Sequence, residues 1–274
     1  MNVLSLFDGY SSGLLALDRA NIKVNRYFSS EICKDAIAVS DYHFSSRVKR
    51  LGDIEEINFE ALSCVDIVMA GSPCTGFSFA GKQLNFDDPQ SRLIGYFFKS
   101  LEVIKPKYFL LENVPMKKEY LKIISERLGV EPVLINSNLV SAQSRKRYYW
   151  ANFPIAQPKD MSITLRSVLK EDGTPFNYSS SGRGGGVVES RINQADKALT
   201  LTKTGYTRRA FTGVFNPRTL SSRSLYVEEK EILQTLPAGF TDVSLSENKR
   251  NKLIGNGWTV DVIVHILKGI KDAP

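Results

Sequence analysis

Cysteine is scarce in this chain: its 274 residues hold three, Cys33, Cys64 and Cys74. So small and odd a number argues against a disulfide framework and for a reducing, intracellular compartment. Long apolar runs are missing as well. No stretch approaches the roughly 18 residues that a membrane helix needs, so no membrane span is expected. The opening residues, Met1-Asn-Val-Leu-Ser-Leu-Phe7, lack a basic region followed by a long apolar one. They read as a β-strand rather than a signal peptide. Internal repeats are absent. What remains is ordinary for a globular protein with ample core: 42% hydrophobic and 24% charged residues. The length admits one large or two small domains.

Charge is unevenly spread. The net charge is +7, and residues 181–224 carry Arg183, Arg191, Lys197, Lys203, Arg208, Arg209, Arg218 and Arg223 against only Glu189 and Asp196. Nearly the whole excess lies there, among Ser, Thr, Gly and Tyr. Either this is a solvated basic face, or it is a phosphate-contacting surface for nucleic acid.

The first ~150 residues alternate short apolar runs with amphipathic stretches, which predicts βαβ units and a mostly parallel sheet. Strands are expected at 2–7, 25–30, 65–70 and 107–111, and helices at 12–20, 34–42, 91–104 and 117–128. Two further strand-like runs, 132–138 and 147–153, suit an antiparallel pair at a sheet edge. From about 157 the pattern degrades. Gln157-Pro158 marks a junction, and Ser179-Ser-Ser-Gly-Arg-Gly-Gly-Gly186 reads as a loop. Residues 157–248 are expected to form a small irregular domain. Helical periodicity returns over 249–270, so 249–274 is expected to rejoin 1–156.

Chemistry gathers where strands end. The first strand runs into Phe7-Asp-Gly-Tyr-Ser-Ser-Gly13, whose Gly9 and Gly13 let the backbone turn tightly at a helix N-terminus. The next strand ends at Glu31, 22 residues after Gly9, where a carboxylate can hold ribose hydroxyls. Asp53 follows another short run and is placed to accept from an adenine amino group. Surface carboxylates are the plain alternative for both. The pattern suggests a nucleoside-bearing cofactor, either a dinucleotide or S-adenosylmethionine. Beyond the apolar run Val65–Ala70 comes Gly71-Ser-Pro-Cys74, a thiol at a strand end. After Tyr108-Phe-Leu-Leu111 comes Glu112-Asn-Val-Pro115, and Gln143-Ser-Arg-Lys-Arg147 precedes Tyr148-Tyr-Trp150. A thiol, a carboxyl and a guanidinium are thus available to one planar heterocycle. Taken singly, Cys74 reads as a buried spectator, Glu112 as half of a salt bridge and Arg147 as a surface cation.

The ordered set Phe7-Asp-Gly9, Gly71-Ser-Pro-Cys74, Glu112-Asn-Val114, Gln143-x-Arg145-x-Arg147, Arg218-Thr-Leu-Ser221 and Gly255-Asn256 resembles the cytosine-C5 DNA methyltransferase family. The elements follow the family's order and cover almost the whole chain. Val3-Leu-Ser-Leu-Phe-Asp-Gly9, Ser30-Glu-Ile-Cys33, Gly52-Asp53, Ser141-Ala142 and Trp258-Thr-Val260 are similar in wording to the catalytic domain of animal de novo DNA methyltransferases. Regulatory domains are not seen, and a bacterial or phage member is expected. The resemblance implies an α/β fold of the Rossmann-like S-adenosylmethionine-dependent methyltransferase type, with a mostly parallel, doubly wound sheet and a small irregular target-recognition domain.

It also implies a reaction. Cys74 would add to C6 of a cytosine flipped out of duplex DNA, Glu112 would serve N3, and Arg147 would hold O2, with Arg145 in support. C5 would then take a methyl group from S-adenosylmethionine. The cofactor residues carried over are Phe7, Asp8, Gly9, Ser12, Glu31, Ile32, Asp53, Ile54, Ser72, Pro73, Asn256 and Trp258. Core packing is the alternative for Trp258. Contact with double-stranded DNA would fall to Ser78, Gln143, Lys203, Thr204, Arg208 and Arg209, within a recognition stretch from Lys197 to Arg209. Neither a metal nor a membrane is expected to take part, and the chain is expected as a monomer or homodimer. Cys33 and Cys64 are expected to be structural. Two departures from the family pattern stand out: Tyr10-Ser-Ser12 replaces a more glycine-rich turn, and Thr75 replaces an amide residue after Pro-Cys. Neither is expected to abolish activity. A tRNA methyltransferase of the same family is a second reading, opposed by the lack of any cysteine after Cys74. A catalytically silent homologue is a third, opposed by the intact Pro-Cys and Glu-Asn-Val.

Overall fold

Apolar runs that are buried on both faces build the larger sheet. Every residue from Ile67 to Ala70 is buried, as is every residue from Val3 to Leu6, the mark of strands covered on both sides. The computed structural model describes residues 1–72, 93–181, 189–203 and 210–272. Seven strands form this sheet: β1 (Asn2–Leu6), β2 (Arg26–Ser30), β3 (Val48–Gly52), β4 (Ile67–Gly71), β5 (Tyr108–Asn113), β6 (Val133–Asn136) and β7 (Lys146–Ala151). Their order is β3-β2-β1-β4-β5-β7-β6. The pairs from β3 to β5 are parallel, and β5 with β7 is antiparallel. The helices that follow β1, β2, β4 and β5 are α1 (Ser12–Arg19), α2 (Lys34–Phe44), α3 (Ile94–Ile104) and α4 (Lys118–Leu128). This is the α/β, mostly parallel fold expected from the sequence.

The chain steps outward from β1 to β2 and β3, then returns to the other side of β1 with β4. That reversal is a topological switch point, where loops diverge and leave a crevice at the carboxyl ends of the strands. The parallel registers Leu6↔Ser30, Leu6↔Ala70 and Gly71↔Glu112 bring the strand ends to one edge. The core behind this edge includes Leu4, Leu6, Phe28, Val68, Phe97, Leu111 and Trp150. Trp150 is wholly buried and donates through Nε1 to Ser125 Oγ at 3.0 Å.

The structure adds to the sequence reading in two places. Strand β3 was not expected, because Lys49 and Arg50 break its apolar character. The runs 132–138 and 147–153 do become neighbouring strands at the sheet edge, as expected, and the structure adds their order: β7 lies against β5, and β6 is outermost.

The chain divides into two compact units. One comprises Met1–Ile135, Lys146–Gln157 and Val262–Pro274, and the other Asn136–Arg145 and Pro158–Asp261. The second unit is more regular than its sequence suggests. Strands β8 (Thr174–Ser181), β9 (Glu189–Gln194), β10 (Ala210–Asn216) and β11 (Ser221–Ser224) form an antiparallel sheet in the order β11-β10-β8-β9. Tyr178 and Phe211 stack across it at 4.9 Å. Helices α5 (Val227–Leu233) and α6 (Glu247–Asn256) follow, then α7 (Val260–Lys268). The core of this unit gathers Leu165, Leu201, Val214, Leu225, Leu233 and Ile254.

Candidate active site

The turn after β1 is built from backbone that side chains disfavour. Phe7, Gly9 and Ser11 all have positive φ, at 56°, 59° and 58°. A Cβ on Gly9 would meet no atom within 4 Å, so the space over this turn is open. Gly9 N donates to Glu31 Oε2 at 2.8 Å, while Glu31 Oε1 accepts from Ile32 N at 2.9 Å and Cys33 N at 2.8 Å. A carboxylate offers about four lone-pair sites, so Oε2 keeps capacity for one more donor. Beside it Ile32 is exposed, Ile54 is buried, and Asp53 Oδ1 accepts from Glu55 N at 3.1 Å. Two apolar isoleucine side chains, an open glycine turn and a carboxylate with one acceptor site left fit a nucleoside-bearing cofactor.

Asp8 does not face that space. Its carboxylate is buried and takes three hydroxyl donors: Ser11 Oγ at 2.6 Å, Tyr27 Oη at 2.6 Å and Ser29 Oγ at 2.7 Å. Burial pushes the Asp8 carboxyl above its usual range, against the pull of those hydrogen bonds. Burial and the Asp8 charge together push the Tyr27 phenol well above its ordinary value, so it stays a donor at neutral pH. Ser12, at the start of α1, is buried. Asp8, expected to line the cofactor, thus has its carboxylate beneath the turn. Tyr27 and Ser29 were missed, because a hydroxyl inside a strand looks like any other strand residue.

At the ends of β4 and β5 a second cluster forms. Asn113 Nδ2 donates to Ser72 Oγ at 2.8 Å, and both side chains are buried. Glu112 pairs with Tyr149 in the antiparallel ladder, which makes Arg147 its diagonal neighbour on the same face. The result is an ion pair, Arg147 Nε to Glu112 Oε1 at 2.9 Å, with side-chain exposures of only 13% and 11%. Arg147 also donates from Nη1 to Lys146 O at 2.8 Å. Two nearly buried opposite charges at a strand end suit a polar, planar substrate. Pro73, Cys74 and Ser78 lie outside the described residues.

Two other expected site residues are held in buried hydrogen bonds. Gln143 was expected at DNA, but it is fully buried. Its Nε2 donates to Leu233 O and Gln234 Oε1, each at 3.1 Å, and its Oε1 accepts from Leu201 N at 2.8 Å. Arg145, expected in the catalytic set, is 5% exposed. It donates to Leu201 O at 2.8 Å and to Gly255 O and Gly257 O, each at 3.1 Å. Gly255 belongs to the same knot. A Cβ there would lie 2.1 Å from Thr202 O, so only glycine fits. Gln234, which the sequence did not flag, holds Ile254 O and Gly257 O and accepts from Thr259 Oγ1. These contacts fix the segment bearing Asn256, which is exposed, and Trp258, which is half-buried. Gln143→Ala is expected to cost about 2–3 kcal/mol by orphaning Leu201 N, read as a lower urea midpoint. A DNA-contacting Gln143 would instead weaken DNA binding at unchanged stability.

The basic segment is partly committed as well. Lys197 Nζ donates to Asn138 O, Ser141 O and Ile163 O at 2.6, 3.0 and 2.6 Å, and so is withdrawn from the recognition stretch. Arg223 pairs with Glu229 at 2.8 Å. Lys203 and Arg218 are exposed, while Thr204, Arg208 and Arg209 lie outside the described residues. Cys33 is half-buried, but Cys64 is exposed, contrary to the expectation of a structural cysteine there. Among the described residues no group of three His, Cys, Asp or Glu side chains could hold a metal, and no helix is long and apolar enough to cross a membrane.

Residues 1–154 match the model of the C-5 cytosine-specific DNA methylase family. Type II methyltransferase M1.ScrFI of Lactococcus lactis subsp. cremoris is 27% identical over 300 residues, covering 95% of this chain and 75% of that protein. Type II methyltransferase M.HaeII of Haemophilus aegyptius is 31% identical over 196 residues, covering 64% of this chain and 59% of that protein. Among solved structures, the Entamoeba histolytica methyltransferase EhMeth superposes with a TM-score of 0.77 at 15% identity, covering 99% of this chain and 98% of that one. Dnmt2 of S. pombe superposes with a TM-score of 0.71 at 18% identity, covering 98% and 97%. At those identities the structural likeness speaks for the fold alone.

Proposed function

Because the chain belongs to the C-5 cytosine-specific DNA methylase family, we propose that it methylates C5 of a cytosine flipped out of duplex DNA, using a covalent adduct with Cys74. The observation that carries this reading is the nearly buried Glu112–Arg147 pair at the end of β5, beside the strand that leads to Cys74.

Cytosine C5 is a weak nucleophile. Addition of the Cys74 thiolate to C6 forms a C–S bond and makes C5 the nucleophilic end of an enamine. The electron density driven into the ring accumulates at N3; Glu112, which takes up a proton from solvent as the base binds, gives that proton to N3 and takes it back on elimination. Arg147 holds the Glu112 carboxyl in place and has donors to spare for the cytosine O2. After methylation a base removes the C5 proton, and elimination breaks the C–S bond and returns the Cys74 thiolate. A base stacked in a duplex cannot reach these groups, so the target must be flipped out.

S-adenosylmethionine, when bound, supplies the methyl group as a sulfonium electrophile. Glu31 has the capacity to hold its ribose, Ile32 and Ile54 to sandwich the adenine, and Asp53 to accept from the adenine amino group. Phe7 and the open Gly9 turn suit the rest of the molecule. Ser12, Ser72, Pro73, Asn256 and Trp258 complete the proposed set. Residues 1–156 with 249–274 are the proposed catalytic domain, and 157–248 the proposed target-recognition domain. Exposed Lys203, with Ser78, Thr204, Arg208 and Arg209, is proposed to contact DNA, where cations meet phosphate and position the protein.

The test is transfer of labelled methyl groups to mixed-sequence duplex DNA and, in parallel, to tRNA, with bisulfite sequencing of the DNA. Methylcytosine in DNA at a defined sequence is the expected result. Label in tRNA alone would contradict the proposal.

A further inference from the structure

Asp8 joins the turn that follows β1 to the neighbouring strand. Phe7 and Ser11 adopt left-handed backbone that residues with side chains rarely keep unless their surroundings impose it. Asp8, between them, supplies the imposition. Its Oδ2 accepts from Ser11 within the turn and from Ser29 in β2, and its Oδ1 accepts from Tyr27, also in β2. Arg50 of β3 donates to Ser29 Oγ at 3.0 Å, which leaves the Ser29 proton for Asp8. The backbone agrees: Asp8 N donates to Ser30 O at 3.1 Å, and Ser11 N donates to Asp8 O at 3.2 Å. The next residue, Gly9, reaches Glu31 Oε2 through its N–H. A chain of contacts therefore runs from buried hydroxyls through Asp8 to Gly9 and the Glu31 carboxylate.

We propose that Asp8 is a positioning residue which, without touching the cofactor, holds the Gly9 turn and the Glu31 carboxylate in the arrangement that binds it. This rests on the S-adenosylmethionine reading above. Such a residue acts on cofactor affinity and not on the bond-making steps, which take place at Cys74 and Glu112. An aspartate suits the role because a carboxylate accepts from three hydroxyls at once. An asparagine of the same shape turns an N–H₂ toward one or two of them.

The experiment compares Asp8→Asn and Tyr27→Phe with wild type. It measures the affinity for S-adenosylhomocysteine, the KM and kcat for S-adenosylmethionine, and the melting temperature of the ligand-free protein. Asp8→Asn is expected to weaken S-adenosylhomocysteine by about tenfold or more, the scale for a lost hydrogen bond to a charged group. Cofactor KM should rise in step, while kcat at saturating cofactor falls by less than about threefold. Tyr27→Phe, which keeps the fold and the charge, should move in the same direction by a smaller factor. Combining Asp8→Asn with Glu31→Ala should give less than the product of the two losses, because the first acts through the second. Undiminished affinity in both single variants would overturn the inference, as would a fall in kcat at unchanged KM. If wild type itself binds neither ligand, the cofactor reading falls and takes this inference with it. If wild type binds and the variants bind equally well, this inference alone is overturned.

Discussion

A Cys74→Ala variant is expected to bind DNA and S-adenosylmethionine and yet transfer no measurable methyl groups. Without a thiolate to add at C6, the cytosine ring offers no enamine carbon at C5, and no neighbouring group replaces that chemistry. Loss of a covalent nucleophile lowers kcat on the order of 10⁴–10⁶-fold. Cofactor affinity should be retained, because the residues proposed to hold the nucleoside, Glu31, Ile32 and Asp53, lie on the loops after β2 and β3. Single-turnover transfer into duplex DNA, alongside equilibrium binding of each ligand, checks both halves. Residual transfer within about a hundredfold of wild type would place the nucleophile elsewhere.

Glu112→Gln carries the second large effect. The amide keeps the size of the side chain and can still donate a hydrogen bond to N3, but it cannot deliver a proton. Proton transfer by a positioned side chain contributes about 10²–10⁴-fold, and a loss of that size in kcat is expected. Arg147, which donates from Nε to Glu112 Oε1 at 2.9 Å, would then face a neutral amide. A modest fall in melting temperature should accompany the kinetic loss, since removing one charge leaves the other nearly buried and less well matched. DNA and cofactor affinities should change little. A variant that turned over at the wild-type rate would remove Glu112 from the chemistry and leave the pair a structural one.

The parts of the fold that the sequence made legible are those where burial leaves a simple pattern. Ile67-Val-Met-Ala70 is buried on both faces and so is continuously apolar, and β1 and β5 stand out for the same reason. Strand β3 carries Lys49 and Arg50, whose charges interrupt the apolar pattern and hide its place in the sheet. Strands β8 to β11 are rich in Ser, Thr and Asn, residues that also mark loops, so a regular four-stranded sheet looked irregular. The site divides the same way. The Glu112–Arg147 pair was expected from motif order, and an antiparallel ladder between β5 and β7 brings the two residues together across 35 positions of sequence. Gln143, from the same motif as Arg147, was expected at DNA, and Arg145 in support of the catalytic site. They are instead buried against backbone groups of their own unit. Nothing local in a sequence separates a polar side chain that meets a ligand from one that satisfies buried carbonyls. The same holds for Asp8, whose partners Tyr27 and Ser29 lie on the next strand.

The central claim is that Cys74 bonds to C6 of a flipped cytosine, and a mechanism-based trap tests it most directly. Mixed-sequence duplex DNA in which part of the cytosine is replaced by 5-fluorocytosine, incubated with protein and S-adenosylmethionine, presents a C5 whose fluorine cannot leave as a proton. Elimination then stalls with the C–S bond intact. The expected result is a denaturation-resistant protein–DNA adduct whose mass includes one transferred methyl group, and whose digestion places the bond on Cys74. The Cys74→Ala protein should give none. Methyl transfer to unsubstituted duplex with no adduct on the fluorinated one, or an adduct that survives Cys74→Ala, would contradict the account.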